Sequence, residues 1–206
     1  MKTSNTFEFI DLFCGVGGIH LGMKNAGFKC VFSCDINYDC KKVYFENFKE
    51  LPKGDIKLIN EKSIPNHHIL CAGFPCQPFS ISGKQKGFAD TRGTMFFEVC
   101  RIIKEKKPSV VMLDEPTNHL DIFHQLYLME TLRALNKTIV AVFHDLNLAA
   151  QFCDYLYVLK DGSIVAKGHP KHILTIDMFR TIFNISVDII DNNGKPHIIY
   201  QNAHKE

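Results

Sequence analysis

The sequence predicts an α/β protein with a doubly wound, mainly parallel sheet and short C-terminal hairpins. Short apolar runs without polar alternation recur along the chain, which is typical of strands covered on both faces. Segments with helical spacing separate most of these runs, as expected of the crossovers that join parallel strands. The predicted strands lie near residues 7–12, 28–33, 69–73, 109–113, 138–143 and 155–160.

The composition is that of an ordinary globular protein, with 206 residues, 46% hydrophobic and 22% charged. The net charge of +2 gives no electrostatic case for a dedicated nucleic-acid binder. Because the N-terminus lacks a signal-peptide core and no apolar run reaches membrane-spanning length, we expect no membrane insertion and a cytoplasmic location. Eight cysteines without a zinc-type Cys-x-x-Cys pair agree with reduced thiols.

The first predicted strand leads into a glycine-rich turn, Phe13-Cys14-Gly15-Val16-Gly17-Gly18, which precedes an apolar helix over residues 19–26. Strand, glycine turn and helix form a layout that binds dinucleotides or adenosyl groups, because glycines let the ligand approach the backbone and helix N-termini favour electron-rich groups. Glycines also serve tight strand-to-helix turns, so the turn alone leaves both interpretations open.

Acidic residues follow the next two predicted strand ends. Asp35 comes directly after the strand at residues 30–33, where an acid that binds ribose hydroxyls is expected. The alternative is that Asp35 caps the helix over residues 38–48. Gly54-Asp55-Ile56 marks the end of a third strand.

The strand at residues 69–73 runs into Phe74-Pro75-Cys76-Gln77-Pro78-Phe79-Ser80. A cysteine at the carboxyl end of a strand is well placed to act as a nucleophile, since its thiolate is the reactive form. The alternative is a buried structural cysteine.

Three segments carry a resemblance to a known family. They are Phe9-Ile10-Asp11-Leu12-Phe13-Cys14-Gly15-Val16-Gly17-Gly18, Gly73-Phe74-Pro75-Cys76-Gln77-Pro78-Phe79-Ser80 and Ser82-Gly83-Lys84-Gln85-Lys86-Gly87-Phe88. Through them, residues 7–111 resemble bacterial DNA (cytosine-5) methyltransferases, and the Pro-Cys-Gln motif is highly specific.

That resemblance implies a bound S-adenosylmethionine and a covalent reaction on a flipped-out cytosine. Asp35 would contact the ribose, Asp55 would lie near the adenine, and Cys76 would add to carbon 6 of the base. The loop over residues 80–92 would close over the DNA. The cofactor-binding residues implied are Phe13, Gly15, Gly17, Gly18, Asp35, Ile36, Asp55, Ile56 and Pro75.

The sequence departs from this family after residue 113. The family's Glu-Asn-Val motif, whose glutamate hydrogen-bonds the flipped base, falls on Asp114-Glu115-Pro116, so an aspartate stands in the glutamate's place. The family's arginine motif, target-recognition domain and C-terminal helix beside the cofactor are absent from the sequence. We therefore expect weak S-adenosylmethionine binding, and weak or absent DNA binding.

From Val110 onward, Val-Val-Met-Leu-Asp-Glu-Pro-Thr-Asn-His-Leu-Asp resembles the Walker B strand and D-loop of ABC-transporter ATPases. In that family Asp114 would hold Mg²⁺ when nucleotide binds, Glu115 would polarise the attacking water as general base, and Asp121 lies in the D-loop. His144, at the end of the strand over residues 138–143, matches the switch histidine. An amphipathic helix lies between them, and its core positions are Ile122, Phe123, Leu126, Met129, Leu132 and Leu135.

The rest of the chain continues this second resemblance, which covers residues 110–200 and is closest in detail to importers of iron-siderophores and cobalamin. A hairpin is predicted over residues 155–167, a short helical tail over 168–183, and a polar hairpin turning at Asn193-Gly194. No Gly-x-x-x-x-Gly-Lys-Ser/Thr occurs in the sequence, so nothing would cradle the β- and γ-phosphates of ATP. We therefore do not expect Mg-ATP binding or ATP hydrolysis.

The two resemblances predict a chimera joined at the strand over residues 109–113, which both families share. Residues 1–112 form a methyltransferase-like half and residues 113–206 an ATPase-like half, fused into one α/β domain. Each half lacks parts of its enzyme, so we expect residual S-adenosylmethionine binding without full catalytic activity. The alternative function is that of an ABC-transporter ATP-binding fragment.

Overall fold

The computed structural model describes residues 6–73 and 95–203. The chain divides into two compact units, residues 1–142 and residues 143–206. Within the described residues, no helix is both long enough and apolar enough to cross a membrane.

The first unit is built on a five-stranded sheet. The strands are β1 (Glu8–Leu12), β2 (Lys29–Cys34), β3 (Ile69–Ala72), β4 (Val110–Leu113) and β5 (Thr138–Ala141). Their order is β2-β1-β3-β4-β5, and every neighbouring pair is parallel, which confirms the predicted fold class. The helices are α1 (Gly18–Asn25), α2 (Tyr38–Phe48), α3 (Met95–Lys106) and α4 (Ile122–Ala134).

The core of this unit has a layer on each face of the sheet. On one face, Phe9 of β1 and Tyr44 of α2 are completely buried, and both rings contact His20 of α1. On the other face, Ile10, Leu70 and Val111 are aligned across β1, β3 and β4 and are completely buried. Right-handed crossovers through α3 and α4 place both helices on the same face, since both connections lead towards β5. Each large side chain buried here contributes about 1.5–3 kcal/mol to stability. The buried helix residues are Phe96, Val99, Ile102, Ile103, Leu128, Met129 and Leu132.

The prediction that two positions at the start of α4 lie in the core is wrong. Ile122 is 66% exposed and Phe123 is 60% exposed, whereas Leu128, which the sequence analysis omitted, is buried. A helix of 13 residues is about 20 Å long, and the four-residue strands span only about 13 Å. The first turn of α4 therefore extends beyond the sheet.

The predicted third strand is reduced to a single bridge between Cys34 and Lys53. Two short 3-10 helices, Ile56–Leu58 and Glu61–Ser63, occupy the following segment. Backbone hydrogen bonds still fix Lys53 beside the end of β2, because its N–H donates to Ser33 at 2.9 Å and its carbonyl accepts from Asp35 at 3.1 Å. Asp55 therefore follows a point anchored at the carboxyl end of β2.

In the second unit, the predicted parallel strand over residues 155–160 is wrong. β6 (Leu156–Lys160) pairs antiparallel with β7 (Ser163–Gly168) in a separate two-stranded sheet. The turn between them places Asp161 and Gly162 at positive φ, 49° and 73°, which is the backbone that a tight hairpin requires. The hairpin itself was predicted, and it replaces the sixth parallel strand.

The rest of the second unit packs helices against a terminal hairpin. Its core consists of Ala150, Leu174, Met178, Phe179, Val187 and Ile198. The sequence predicted a polar hairpin, but one of its faces is apolar, because Val187 and Ile198 are buried in this core. Asn147 holds the hairpin by accepting from the N–H of Ile198 at 2.7 Å and donating to its carbonyl at 3.0 Å. The elements are α5 (Leu146–Phe152), α6 (Pro170–Ile173), α7 (Ile176–Met178), a π-helical turn (Phe179–Phe183), β8 (Ile185–Asn192) and β9 (Lys195–Ala203).

Candidate functional site

The glycine turn after β1 is built from residues with left-handed backbone. Phe13, Gly15 and Gly17 have φ values of 57°, 52° and 95°. The N–H of Cys14 donates to the carbonyl of Cys34 at 3.0 Å, which joins the turn to the end of β2. A Cβ added at Gly15 or at Gly18 would meet no atom within 4 Å. The turn therefore leaves open space at the carboxyl edge of the sheet, where a ligand can approach the backbone.

Gly17 is closed on its other side by aromatic rings. A Cβ at this position would overlap the ring of Phe48 and lie 3.0 Å from Tyr44. The ring of His20 stacks on Phe48 with centroids 3.9 Å apart, and its Nδ1 is 2.5 Å from the hydroxyl of Tyr44. Burial lowers the pKa of His20, so this pair is a neutral contact at physiological pH. The cluster fixes α1 against α2 and thereby sets the position of the turn.

Asp35 ties the glycine turn to the end of β2. Its Oδ2 accepts from the N–H of Gly15 at 2.8 Å, and its Oδ1 accepts from the N–H of Asn37 at 2.7 Å. The helix cap of α2 is Asn37, whose side chain accepts from the N–H of Cys40 at 3.0 Å. The structure therefore assigns the cap to a residue other than Asp35. Each carboxylate oxygen of Asp35 keeps a lone pair that can accept from a ligand hydroxyl.

Ile36, Asp55 and Ile56 lie around the same edge with different exposures. Ile36 is 76% exposed, so it offers an apolar surface directly after Asp35. Asp55 caps the first 3-10 helix by accepting from the N–H of Lys57 at 3.0 Å, and Ile56 is buried.

Arg101 on α3 holds the segment that carries Asp55 and Ile56, and sequence reasoning missed it. Its guanidinium donates to the carbonyls of Ile56 at 3.0 Å and Ile59 at 3.1 Å. The same group forms ion pairs with Glu61 and with Glu98. A basic residue in the middle of an amphipathic helix is usually a solvated one, so the sequence carried no signal for this contact.

Asp11, in the middle of β1, is a second residue that sequence reasoning missed as a functional group. It is completely buried, and neither carboxylate oxygen has a hydrogen-bond partner among the described residues. Desolvation raises the pKa of Asp11 to about 7, the Asp35 carboxylate raises it further, and the backbone N–H of His20 offsets part of the increase. The apolar run in the sequence had indicated a strand but no role for its one acid.

Asp114 lies at the same edge, directly after β4. Its side chain is exposed, and its N–H donates to the carbonyl of Ala72 at 3.1 Å. A Cβ built at Gly73 would lie 3.8 Å from the Asp114 Cβ and 4.0 Å from the carbonyl oxygen of Phe13. The structure thus brings Asp114 next to Gly73 and the glycine turn.

The remaining predicted site residues are Glu115, His144, Pro75 and Cys76. Glu115 has a positive φ of 47° and accepts a hydrogen bond from Asn118. His144 is exposed in the second unit, two residues before α5. Pro75, Cys76 and the loop over residues 80–92 lie outside the described residues. Among the residues that the structure describes, no group of three or more His, Cys, Asp or Glu side chains could hold a metal ion.

A parallel sheet whose first strand ends in a glycine turn, with a carboxylate hydrogen-bonded to that turn from the residue after the second strand, is a Rossmann-like arrangement. The family of C-5 cytosine-specific DNA methylases matches residues 7–145, and the chain belongs to that family. The match runs past the join that the sequence predicted at residues 109–113.

The curated relatives that match this chain include type II methyltransferases. The type II methyltransferase M.HhaI of Haemophilus parahaemolyticus is 56% identical over 117 residues, which cover 57% of this chain and 36% of the relative. The chain spans about a third of the length of the curated relatives it matches.

Two solved structures are similar at lower levels. The Dnmt2 methyltransferase of S. pombe is 20% identical with a TM-score of 0.49, over 74% of this chain and 43% of that one. A putative metal-chelate type ABC transporter is 20% identical with a TM-score of 0.44, over 51% of this chain and 45% of that one. At these scores neither likeness decides a function.

Proposed function

We propose that this chain binds S-adenosylmethionine as the cofactor half of a DNA (cytosine-5) methyltransferase and lacks full catalytic activity. The observation that carries the proposal is the glycine turn, closed by the hydrogen bond from the Gly15 N–H to Asp35 and open at the Gly15 and Gly18 positions. Membership of the methylase family supports the choice of cofactor, because that family uses S-adenosylmethionine.

The residues present fit such a cofactor. Asp35 has lone pairs left for ribose hydroxyls, and the exposed Ile36 offers an apolar surface to an adenine ring. Asp55 stands on the neighbouring segment, which Arg101 holds in place. The bound cofactor supplies an electrophilic methyl group on a sulfonium. The chain's own residues bind it, orient it and exclude water from one side of it.

Cys76 is proposed as the nucleophile on the strength of its motif, and Pro75 as its neighbour in the cofactor site. Asp114 stands where the family places a glutamate, and its shorter side chain reaches about 1.3 Å less far towards a flipped base. The residues after Leu113 resemble an ATPase in sequence and not the family's DNA-reading segments. We therefore propose that DNA binding is weak or absent and that duplex DNA is not methylated.

A finer proposal concerns the origin of the chain. We propose that it is a chimera whose ATPase-like half begins near residue 113, with Asp114, Glu115 and His144 derived from the Walker B and switch positions. The support is the sequence over residues 110–200 together with the antiparallel hairpins of the second unit, most of which lies beyond the family match. The sequence contains no phosphate-binding Gly-x-x-x-x-Gly-Lys-Ser/Thr, so neither Mg-ATP binding nor hydrolysis is part of this proposal. A cytoplasmic location belongs to the same proposal, and the seven described cysteines, all free, support it.

Equilibrium dialysis of the full chain against methyl-tritiated S-adenosylmethionine tests the binding. We expect saturable binding that Asp35→Ala weakens at least tenfold, since it loses both the ribose acceptor and the tie to Gly15. Asp39→Ala, which removes an exposed carboxylate in the first turn of α2, is the matched control and should bind like the parent.

The same labelled cofactor tests the absence of methyl transfer. We expect no tritium to enter duplex DNA. Transfer that depends on Cys76, so that it is lost in Cys76→Ser, would show that the chain is an active methyltransferase. Absence of saturable binding at millimolar cofactor would refute the proposal as a whole.

A further inference from the structure

Asp11 is a buried carboxyl group that the structure leaves without a hydrogen-bond partner among the described residues. It lies on the central strand β1, in register with Ser33 on one side and Cys71 on the other. Only Leu12 separates it from Phe13, where the glycine turn begins. With one residue between them, a charged ligand bound at the turn would be within electrostatic range of this buried carboxyl group, because the protein interior screens charge weakly.

The titratable groups around Asp11 provide no positive charge. Burial raises the pKa of the Cys30 thiol to about 11 and of the Cys34 and Cys71 thiols to about 12, and it also raises the pKa values of Cys14 and Tyr44. On α1, burial lowers the pKa of His20, with a further decrease from Lys24. The remaining group is the Asp35 carboxylate, which repels negative charge on Asp11. In the described part of the chain, an ionised Asp11 would therefore be desolvated and without a cationic partner, and the backbone N–H of His20 offsets only part of that cost.

We infer that Asp11 is a proton-linked positioning residue of the cofactor site. Its carboxyl group releases a proton to solvent when a cofactor bearing a sulfonium cation binds at the glycine turn, and retains it when the neutral thioether product binds. The inference rests on the proposed function and deepens it, because it states how this site distinguishes the cofactor from its demethylated product.

The physical basis is the difference in charge between the two ligands. S-Adenosylmethionine carries one more positive charge than S-adenosylhomocysteine, and a cation near a carboxyl group favours its ionised form. Binding of the cation and ionisation of Asp11 therefore favour each other reciprocally. Affinity for the sulfonium cofactor should increase about fivefold as the pH rises through 7, whereas affinity for the thioether should change little.

Calorimetric titrations of the full chain in phosphate and in imidazole measure the proton released on binding, because the two buffers differ in their enthalpy of ionisation. At about pH 6.5 we expect about 0.4 of a proton released per S-adenosylmethionine and almost none per S-adenosylhomocysteine. Asp11→Asn should abolish the difference between the ligands, while Asp39→Asn, an exposed carboxylate on α2, should preserve it. The cofactor's own amino group contributes equally in every variant and therefore cancels.

The comparison of the two ligands on the parent protein needs no variant, so the test survives if Asp11→Asn fails to fold. Equal proton release with both ligands, or release that persists in a folded Asp11→Asn variant, would overturn the role of Asp11 while leaving the proposed function intact. Absence of any S-adenosylmethionine binding would overturn both.

Discussion

Asp11 and Gly17 shape the site from within the glycine-turn motif. Asp11 places a buried carboxyl group, which has no hydrogen-bond partner among the described residues, with only Leu12 between it and the turn. Gly17 fits only because no side chain separates it from Phe48. Sequence patterns locate the turn and Asp35, since strand, glycine turn and acid follow each other at readable intervals. They do not show that Asn37 is the helix cap or how Asp11 is surrounded, because both facts depend on neighbours from other strands and helices.

Asp11→Asn should change how the stability of the chain depends on pH. The folded-state pKa of Asp11 is raised to about 7, well above its ordinary value near 3.9, so the folded state holds a proton that the unfolded state has lost. Stability from this group is therefore greatest below about pH 4 and is lost as the pH rises towards 7. Relative to Asp11→Asn, the parent should lose up to about 4 kcal/mol of unfolding free energy over that window.

Urea denaturation of both proteins between about pH 4 and pH 8 measures this difference. A parent whose stability tracks that of Asp11→Asn at every pH would show that Asp11 has an ordinary pKa in the folded protein.

Gly17→Ala should destabilise the first unit by about 2–3 kcal/mol. The left-handed backbone at φ 95° and the overlap of a Cβ with the Phe48 ring act together at this position. Gly22→Ala is the control, because it lies inside α1 with open space around it and should stabilise by about 0.5–1 kcal/mol. Thermal unfolding followed by circular dichroism distinguishes the two, and equal effects would contradict the packing described.

At the scale of the elements, Arg101 joins α3 to the segment that contains the two 3-10 helices. The guanidinium satisfies two backbone carbonyls in the segment that replaces a regular third strand. The helix predicted over residues 38–48 is α2 (Tyr38–Phe48). The sequence did not show that the carbonyls of Ile56 and Ile59 are held by a side chain from α3, because such a contact between distant residues leaves no local pattern.

Arg101→Gln should weaken S-adenosylmethionine binding several-fold and lower stability by about 1–2 kcal/mol, because the carbonyls of Ile56 and Ile59 lose their donors. Lys104→Gln, on an exposed position of the same helix, is the control and should change neither quantity. Denaturation and cofactor titration of both variants test the contact. Unchanged binding in Arg101→Gln would show that the segment holds Asp55 and Ile56 without it.

At the scale of the whole molecule, alternation of strands and helices predicted the mainly parallel sheet, in which β4 pairs with β3 on one side and with β5 on the other. The prediction of a sixth parallel strand was wrong, because a short apolar run has the same pattern in a buried strand and in a hairpin strand. The tight turn at Asp161-Gly162 favours the hairpin, in which β6 pairs antiparallel with β7. Residues 143–206 form a compact unit with a core of their own.

We propose that the ligand site of this chain is the glycine turn to which Asp35 is hydrogen-bonded. Calorimetric titration of one preparation of the full chain with S-adenosylmethionine and with Mg-ATP tests it most directly. We predict saturable heat with S-adenosylmethionine, a marked loss of that heat in Asp35→Ala, and no saturable heat with Mg-ATP. Saturable binding of Mg-ATP without any binding of S-adenosylmethionine would contradict the account.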